Sequence, residues 1–234
     1  MKINEIENIL NNLKDSNNFR KLRVYPEEMI NFSSNDYLGI VNDESLREEF
    51  YNAKRPKLSS SSSRLITGCY NEVMELERYA EEIYGKACIT FNSGFDANSS
   101  IIETFYNKNT LIISDRLNHA SIYDGIINSG AKLIRYRHLD VRHLEEILQK
   151  NRDKYEDILV VAESVYSMDG DITDIKKIVE LKRKYGFDFI LDEAHSYGVY
   201  GYGMAYNMAL IECCIFMGPF LKRSKTEDYF FLCD

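Results

Sequence analysis

The chain has 234 residues, 44% of them hydrophobic and 28% charged, a composition typical of a globular protein long enough to bury a core. Acidic residues outnumber basic ones, 37 to 29, and the net charge of −8 argues against a nucleic-acid partner, whose binding depends on basic residues. The N-terminus lacks the apolar core of a signal peptide, and no later stretch is long enough to span a bilayer. We therefore expect a cytoplasmic protein with no membrane partner.

The first part of the chain predicts a helical arm followed by loops. Residues 4–14 carry apolar side chains at helical spacing, typical of an amphipathic helix that docks on a larger body; these are Ile6, Ile9, Leu10 and Leu13. The segment INFSSNDYLGI has the composition of a loop. The serine run at 59–63 predicts an ordered loop, with a flexible linker as the alternative, because the helical pattern NEVMELERYAEEIYG follows it closely.

From residue 87 onward, predicted strands and helices alternate. Short apolar runs indicate strands, and amphipathic segments between an acidic cap and a glycine, as between Asp174 and Gly186, indicate helices. This alternation predicts an α/β fold, a mostly parallel sheet wrapped by helices with right-handed crossovers. The predicted strands are Ala87–Phe91, Leu111–Ser114, Lys132–Tyr136, Ile158–Ala162 and the run that begins at Phe187.

The turn after the first predicted strand is a candidate anion site. The segment NSGFDAN joins that strand directly to a helix, and the free N–H groups at a helix start favour an anion such as phosphate. Gly94 and Phe95 would present those groups. A plain tight turn is the alternative, because a single Ser-Gly pair is a weak motif.

Two histidines and an aspartate follow predicted strands. His119 comes after the second strand, and Asp192 and His195 end the run FDFILDEAH. Ligands bind beyond the carboxyl ends of strands in open α/β sheets, so we expect these three side chains to share one edge and to take part in chemistry. The other two, His138 and His143, lie among charged residues and are interpreted as surface groups.

No metal site is predicted. Metal binding is the competing use of the histidines and acids, but their spacing matches no zinc pattern. The five cysteines form an odd number with neither metal-ligand nor redox spacing, which fits reduced thiols.

Six separated segments together resemble one family. They occur in order between about residues 20 and 206, and their combination is highly specific: NFSSNDYLG, SSSSRLITG, FNSGFDAN, DRLNHASIYDG, ESVYSMDGD and DEAHSYGVYG. They resemble the α-oxoamine synthases, enzymes of the aspartate-aminotransferase fold that use pyridoxal 5′-phosphate (PLP) to condense an amino acid with an acyl thioester, with decarboxylation. The resemblance implies that fold for the large domain, a PLP cofactor and a homodimer.

Within this family, the segment DEAHSYGVYGYG is most similar to that of the enzymes of biotin synthesis. Those enzymes join L-alanine to a pimeloyl thioester of coenzyme A or a carrier protein. Glycine C-acetyltransferase and 5-aminolevulinate synthase share the chemistry and are the alternatives. Arg20 and Asn35 match positions near the substrate, and Arg23 equally suits the arginine role. The resemblance therefore implies a PLP-dependent acyltransferase that acts on small molecules.

The resemblance also assigns cofactor contacts. Asp192 pairs with the pyridine nitrogen of PLP and keeps it protonated, because a carboxylate favours a neighbouring cation, and the protonated ring becomes an electron sink. His119 stacks on the ring face, and His195 hydrogen-bonds the phenolic oxygen. Further cofactor contacts are expected at Gly94, Phe95 and Ser167.

The catalytic lysine is where the sequence departs from the family. Family members place a Schiff-base lysine within a Gly-Thr-x-x-Lys stretch that small residues follow. Here Lys222 stands in register with Gly218, but Pro219 replaces the threonine and the small-residue run is absent. Lys222 is therefore the candidate.

The resemblance divides the chain into three parts. These are an N-terminal arm with the start of a small domain (1–40), a partial PLP-binding large domain (41–212) and a divergent C-terminal tail (213–234). Family members continue for well over a hundred further residues, so the resemblance implies a truncated sequence. A catalytically inactive remnant is thus the alternative to an active enzyme.

Overall fold

The computed structural model describes residues 3–26, 28–52, 60–210, 215–219 and 229–233 of the chain. Contacts between Cα atoms divide the chain into two compact units, residues 1–35 and residues 36–234. The three-part division expected from the sequence remains a prediction.

The first unit contains helix α1, Ile3–Asp15. The helix predicted for residues 4–14 is thereby confirmed, and none of its residues is buried. At its end the Ser16 hydroxyl donates to the Asn12 carbonyl at 2.8 Å, and the Lys14 ammonium lies 5.6 Å from the centre of the Phe19 ring. These short-range contacts close the helix.

The helices of the second unit begin and end at residues suited to those positions. Asp174 accepts a hydrogen bond from Lys177 N at 3.2 Å at the start of α7, and Gly186 closes that helix with φ 65°, as the sequence predicts. Within the described ranges no helix has the length and apolar character needed to cross a membrane. The helices are α2 (Glu44–Asn52), α3 (Asn71–Tyr84), α4 (Gly94–Phe105), α5 (Ala120–Ser129), α6 (Val141–Asn151), α7 (Ile175–Tyr185) and α8 (Met204–Asn207).

One mixed sheet forms the centre of the second unit. Its strands are β1 (Ala87–Phe91), β2 (Leu111–Asp115), β3 (Lys132–Tyr136), β4 (Ile158–Glu163), β5 (Asp188–Asp192), β6 (Ile215–Pro219) and β7 (Tyr229–Cys233). They lie in the order β1-β7-β6-β5-β4-β2-β3. Strands β6, β5, β4, β2 and β3 run parallel, and β7 is antiparallel to both β6 and β1. The predicted fold class, an α/β fold with a mostly parallel sheet, is confirmed.

Helices cover both faces of this sheet. Successive strand residues belong to different apolar clusters: Ile113 belongs to the cluster that contains residues of α3, α6 and α7, whereas Ile112 belongs to the cluster that contains residues of α4 and α5. A parallel sheet that is buried on both faces has strands that read as continuous apolar runs. That arrangement explains the continuous apolar runs of the inner strands β2, β4 and β5, which are buried along almost their whole length.

Helices α4 and α5 approach each other closely at Gly125. A methyl group on Gly125 would lie 2.9 Å from Ser99 Cα and 3.1 Å from Ile102 Cβ, closer than the optimum of about 3.5–4.0 Å between carbon atoms. Glycine is therefore required for this helix separation.

Arg64 anchors the π-helical turn Arg64–Gly68, which follows the serine run. Its guanidinium donates to the two carboxylate oxygens of Glu77 at 2.7 and 2.9 Å, and Glu77 also accepts from Thr90 N at 2.7 Å. Burial by itself would raise the pKa of Glu77, but the hydrogen bonds from Arg64 and Thr90 outweigh burial and lower the pKa. The contact ties this turn to α3 and β1. The ordered loop expected for the serine run at 59–63 remains a prediction.

Candidate active site

Three strands deliver carboxyl groups to the same edge of the sheet. β2 ends at Asp115, β4 at Glu163 and β5 at Asp192, and all three residues are buried. β4 and β5 are parallel neighbours in which Glu163 lies opposite Asp192. The ends of parallel strands are where the sequence predicts ligand-binding side chains.

Asp192 is held in one orientation by two donors. Its Oδ1 accepts a hydrogen bond from Ala194 N at 2.8 Å, and its Oδ2 accepts one from Asn98 Nδ2 at 3.0 Å. The residue is 7% exposed, so a ligand can reach only a small part of the carboxylate. Both oxygens are therefore directed before any ligand arrives.

His119 lies at the start of α5 and is linked to Asp192 through two buried side chains. Besides Asp192, Asn98 Nδ2 donates to Ser121 Oγ at 2.8 Å. Ser121 Oγ in turn lies 2.7 Å from His119 Nδ1. We call the four residues Asp192, Asn98, Ser121 and His119 the relay. His119 and Asp192 thus lie at the same edge of the sheet, as expected, and a continuous series of contacts connects them.

Glu163 adjoins both ends of the relay. It accepts a hydrogen bond from His119 N at 2.6 Å and lies opposite Asp192 in the sheet. Burial raises the pKa of Glu163, the negative charge of Asp192 raises it further, and the bond from His119 only partly offsets these effects. A carboxyl group with a raised pKa beside a second one is typical of a functional site.

His195 lies in the loop after β5 and contacts Tyr37. The Tyr37 hydroxyl is 2.6 Å from His195 Nδ1, and the two rings are tilted by 58° with centroids 6.1 Å apart. Tyr37 and His195 are 158 residues apart in the sequence.

Glu193 anchors the loop that carries His195. Glu193 is 2% exposed, and its Oε1 accepts a hydrogen bond from Ala205 N at 3.1 Å. Burial raises the pKa of Glu193 to about 7, although main-chain bonds from Ala205 and Met204 lower it. A methyl group at Gly203 would overlap the Glu193 carboxylate, because it would lie 2.8 Å from Cδ. The carboxylate therefore fixes α8 to the end of β5.

The start of α4 presents main-chain donors beside His119. Ser93 caps the helix and accepts a hydrogen bond from Asp96 N at 3.0 Å. The first N–H groups of a helix have no intrahelical acceptor, so those of Gly94 and Phe95 are suited to an anion. The Phe95 ring stands edge-on to His119 at 82°, with centroids 6.5 Å apart, which places this helix start next to the relay.

Ser167 lies exposed in the turn that follows β4. The turn is closed by the hydrogen bond from Gly170 N to Tyr166 O at 2.9 Å. Ser167 therefore lies beyond the strand end that carries Glu163, and its contact with a cofactor remains a prediction.

His138 is not the surface group that the sequence suggests. Its Nδ1 lies 2.9 Å from Asp115 and its Nε2 lies 3.2 Å from Asp171. Its side chain is 13% exposed, and its ring stands edge-on to Tyr166 with centroids 4.5 Å apart. The interpretation of His138 as a surface group is wrong, because residues distant in sequence, Asp115, Tyr166 and Asp171, pack against its ring. Through Asp171, His138 holds the turn that carries Ser167.

Three predicted site residues have no structural test. Lys222 lies outside the described residues. Arg20 and Asn35 are exposed and belong to the first unit, so their contact with substrate remains a prediction. The chain ahead of Lys222 forms β6, which ends at Pro219 and runs parallel to β5. It therefore leads toward the edge that carries Asp192.

Four residues that hold the site together are not singled out by the sequence. Each lies inside one of the six segments, but the sequence does not distinguish a side chain that makes a structural hydrogen bond there from a turn former or an ordinary polar residue. They are Tyr37, Asn98, Ser121 and Glu163. Their role becomes visible only when elements distant in sequence are brought together.

The site combines a buried carboxylate, two imidazoles and the N–H groups of a helix start. Such a set can hold a flat ring that carries a cationic nitrogen at one end and an anionic group at the other. A family comparison agrees with this chemistry: the chain belongs to the aminotransferase class I and II family, whose model matches residues 27–224.

Curated relatives refine this membership. The chain is 45% identical over 182 residues to the 8-amino-7-oxononanoate synthase of Chlorobaculum parvum, covering 74% of this chain and 46% of that protein. A Pasteurella multocida protein provisionally named as the same synthase is 42% identical over 244 residues, covering 96% of this chain and 63% of the relative. The chain thus spans about half to two thirds of the length of these relatives.

Solved structures give the same picture. A variant serine palmitoyltransferase from S. paucimobilis with a bound PLP–myriocin aldimine matches with a TM-score of 0.77 and 27% identity, covering 97% of this chain and 64% of that chain. The 8-amino-7-oxononanoate synthase of Francisella tularensis matches with a TM-score of 0.66 and 26% identity, covering 89% and 59%. These relatives confirm the resemblance to the α-oxoamine synthases.

Proposed function

We propose that the chain is a PLP-dependent acyltransferase that condenses L-alanine with a pimeloyl thioester, with decarboxylation, as an 8-amino-7-oxononanoate synthase of biotin synthesis. The observation that carries the proposal is Asp192, a buried carboxylate of fixed orientation at the end of β5, joined to His119 by the relay. The similarity to curated synthases supports the choice of substrates. The proposal includes a cytoplasmic homodimer.

The residues of the site fit PLP in charge and donor type. The Asp192 carboxylate suits a protonated ring nitrogen, the exposed His119 ring suits a stacked aromatic ring, and the N–H groups of Gly94 and Phe95 suit a phosphate. When bound, PLP supplies an electron-accepting ring that stabilises negative charge on the amino-acid substrate.

The chain's own residues have separate tasks in this proposal. Asp192 keeps the ring nitrogen protonated, because its carboxylate favours the cation. His195, held by Tyr37, donates to or accepts from the phenolic oxygen, and Ser167 adds a hydroxyl contact. Glu163 limits the negative charge beside Asp192, since its raised pKa favours its protonated form.

Three further residues are assigned to attachment of the cofactor and to binding of the substrate. Lys222 is the proposed covalent anchor of the cofactor. It follows β6 in the chain, and β6 runs parallel to β5, the strand that ends at Asp192. Arg20 and Asn35 are the proposed contacts of the amino-acid substrate.

The test is covalent trapping. The purified chain is incubated with PLP, reduced with borohydride and digested, and the modified peptides are identified by mass spectrometry. We expect a single pyridoxyl adduct on Lys222 that disappears in Lys222→Ala. Lys184→Ala, which removes an exposed lysine of α7, is the matched control. Adducts scattered over surface lysines in both variants would contradict the proposal.

Substrate choice is tested separately by product formation. The PLP-loaded chain is offered alanine or glycine together with pimeloyl, acetyl or succinyl coenzyme A. We expect carbon dioxide release with alanine and the pimeloyl thioester. Turnover only with glycine would assign the chain to one of the two alternative branches of the family.

A further inference from the structure

Asn98 and Ser121 are the two members of the relay to which the proposed chemistry gives no task. Asn98 is 4% exposed and Ser121 is fully buried. Both hydrogens of the Asn98 amide are used, one on Ser121 Oγ at 2.8 Å and one on Asp192 Oδ2 at 3.0 Å. The amide oxygen, Asn98 Oδ1, is buried and has no partner in the part of the chain that the structure describes.

The orientation of the Asn98 amide follows from Asp192. An ionised carboxylate only accepts hydrogen bonds, so the amide nitrogen and not the amide oxygen must face it. A buried acceptor without a partner costs about 1–3 kcal/mol. The cost at Oδ1 is offset by the two hydrogen bonds that the amide hydrogens donate to Asp192 and Ser121.

Ser121, which accepts a hydrogen bond from Asn98, also makes two contacts with His119 Nδ1. Its oxygen already accepts one Asn98 hydrogen, and its own hydroxyl hydrogen can be donated to His119 Nδ1 at 2.7 Å. The main-chain N–H of Ser121 points to the same nitrogen at 3.3 Å. A main-chain N–H can only donate, so His119 Nδ1 must carry a lone pair.

A neutral imidazole with a lone pair on Nδ1 carries its hydrogen on Nε2. His119 Nε2 makes no hydrogen bond with the residues described, and the His119 side chain is exposed. We propose that Asn98 and Ser121 are positioning residues that fix His119 as the Nε2–H tautomer. His119 then presents an N–H donor, and not a lone pair, to a group bound beside Asp192. This inference deepens the proposed function and rests on it only for the identity of that group.

The test reads the tautomer directly and needs no cofactor. The full chain, labelled with ¹⁵N, is studied by long-range ¹H–¹⁵N correlation at about pH 8.5, where an ordinary imidazole with a pKa of about 6.5 is neutral. The His119 signals are assigned by their loss in His119→Gln. We expect the wild-type chain to show an unprotonated Nδ1 and a protonated Nε2.

Two variants test the source of this preference. Ser121→Ala removes the hydroxyl donor and should reduce the ratio of Nε2–H to Nδ1–H tautomer about fivefold, which corresponds to one hydrogen bond of about 1 kcal/mol. Asn98→Ala should change the ratio in the same direction but less, because the Ser121 hydroxyl is then free to rotate away. Ser129→Ala, the same substitution at the other end of α5, should leave the ratio unchanged.

The outcomes separate this inference from the proposed function. A protonated Nδ1 in the wild-type chain, or a ratio in Ser121→Ala equal to that in Ser129→Ala, would overturn it. If Ser121→Ala does not fold, the tautomer ratio in Asn98→Ala is compared with that in Ser129→Ala, and equal ratios would again overturn the inference. Because these spectra are recorded without PLP, failure of PLP trapping at Lys222 would refute the proposed function and leave the tautomer result standing.

Discussion

The two imidazoles of the site are held in different ways. His119 is fixed through the relay, whose other three members are buried on α4, α5 and β5. His195 lies in a loop, contacts Tyr37 from a distant segment and depends on the anchor made by Glu193. The difference teaches that one histidine takes its position from packed secondary structure and the other from contacts between loops. We expect the two to respond differently to substitution.

The largest effect is expected on the loop side, from Gly203→Ala. Gly203 has φ 100°, and a methyl group there would overlap the buried Glu193 carboxylate. We expect the free energy of unfolding to fall by about 3 kcal/mol, combining overpacking with backbone strain. Urea unfolding measures it.

The control for this variant is Gly201→Ala. Gly201 has φ 61° and its nearest neighbour, Asn207 Oδ1, would lie 3.4 Å from the new methyl group. Only the left-handed conformation is then penalised, at about 1 kcal/mol. Equal losses in the two variants would show that Glu193 does not constrain the loop.

The second effect breaks the relay at its charged end. Asp192→Asn keeps the shape of the side chain but removes its charge, so we expect PLP affinity to fall about 30-fold, equivalent to about 2 kcal/mol. Titration followed by PLP absorbance measures the change. Asp188→Asn, at the opposite end of β5, is the matched control and should bind like the wild type. Undiminished affinity in Asp192→Asn would refute the cofactor assignment.

The third effect concerns the pH dependence of stability on the relay side. The pKa of Glu163 is raised in the folded chain above its ordinary value of about 4.3. Between these two pKa values the folded chain binds more protons than the unfolded chain, so stability falls as pH rises. Glu163→Gln cannot titrate and keeps an acceptor for His119 N. We expect it to remove this fall and to stabilise the chain by about 1 kcal/mol above the raised pKa.

Thermal unfolding across pH measures this slope. Glu146→Gln, on the exposed face of α6, is the control and should keep the wild-type slope. If Glu163→Gln keeps that slope too, the slope does not come from a raised pKa of Glu163.

The smallest effect removes the contact that holds His195. Tyr37→Phe loses the hydroxyl 2.6 Å from His195 Nδ1. Because this contact is exposed, we expect the free energy of unfolding to fall by only about 0.5–1 kcal/mol. The ¹⁵N signals of His195 should change while those of His119 stay. Tyr200→Phe, in the same loop region, should change neither. Shifted His119 signals would show that the two histidines are coupled.

The sequence predicts those parts of the fold that depend on local pattern. The apolar runs of β1 to β5 and the capping pair Asp174 and Gly186 are visible without any knowledge of neighbours. Strand β6 is not predicted, because a five-residue run that contains Gly218 and Pro219 has weak strand propensity. Strand β7 is not predicted either. The antiparallel insertion of β7 between β6 and β1 depends on pairing across a long stretch of chain.

The same limit applies to the site. Asp192 and His119 are predicted because each follows a strand, and strand ends in a parallel sheet share one edge. Asn98 and Ser121 are not, because their contact joins two helices whose separation no sequence pattern encodes. His138 is misread for the same reason: its aspartate partners come from two other segments.

Gly125 has a consequence for how the molecule responds to volume change. It lies one turn after Ser121 on α5, and its Cα faces Ser99, the neighbour of Asn98 on α4. Close-packed interiors have low compressibility, so hard contact between the two backbones sets the gap that the Asn98 amide bridges. Hydrostatic pressure or heating should therefore alter this gap less than the spacing between His195 and Tyr37, and a bulkier residue at position 125 would open it even with every polar group retained.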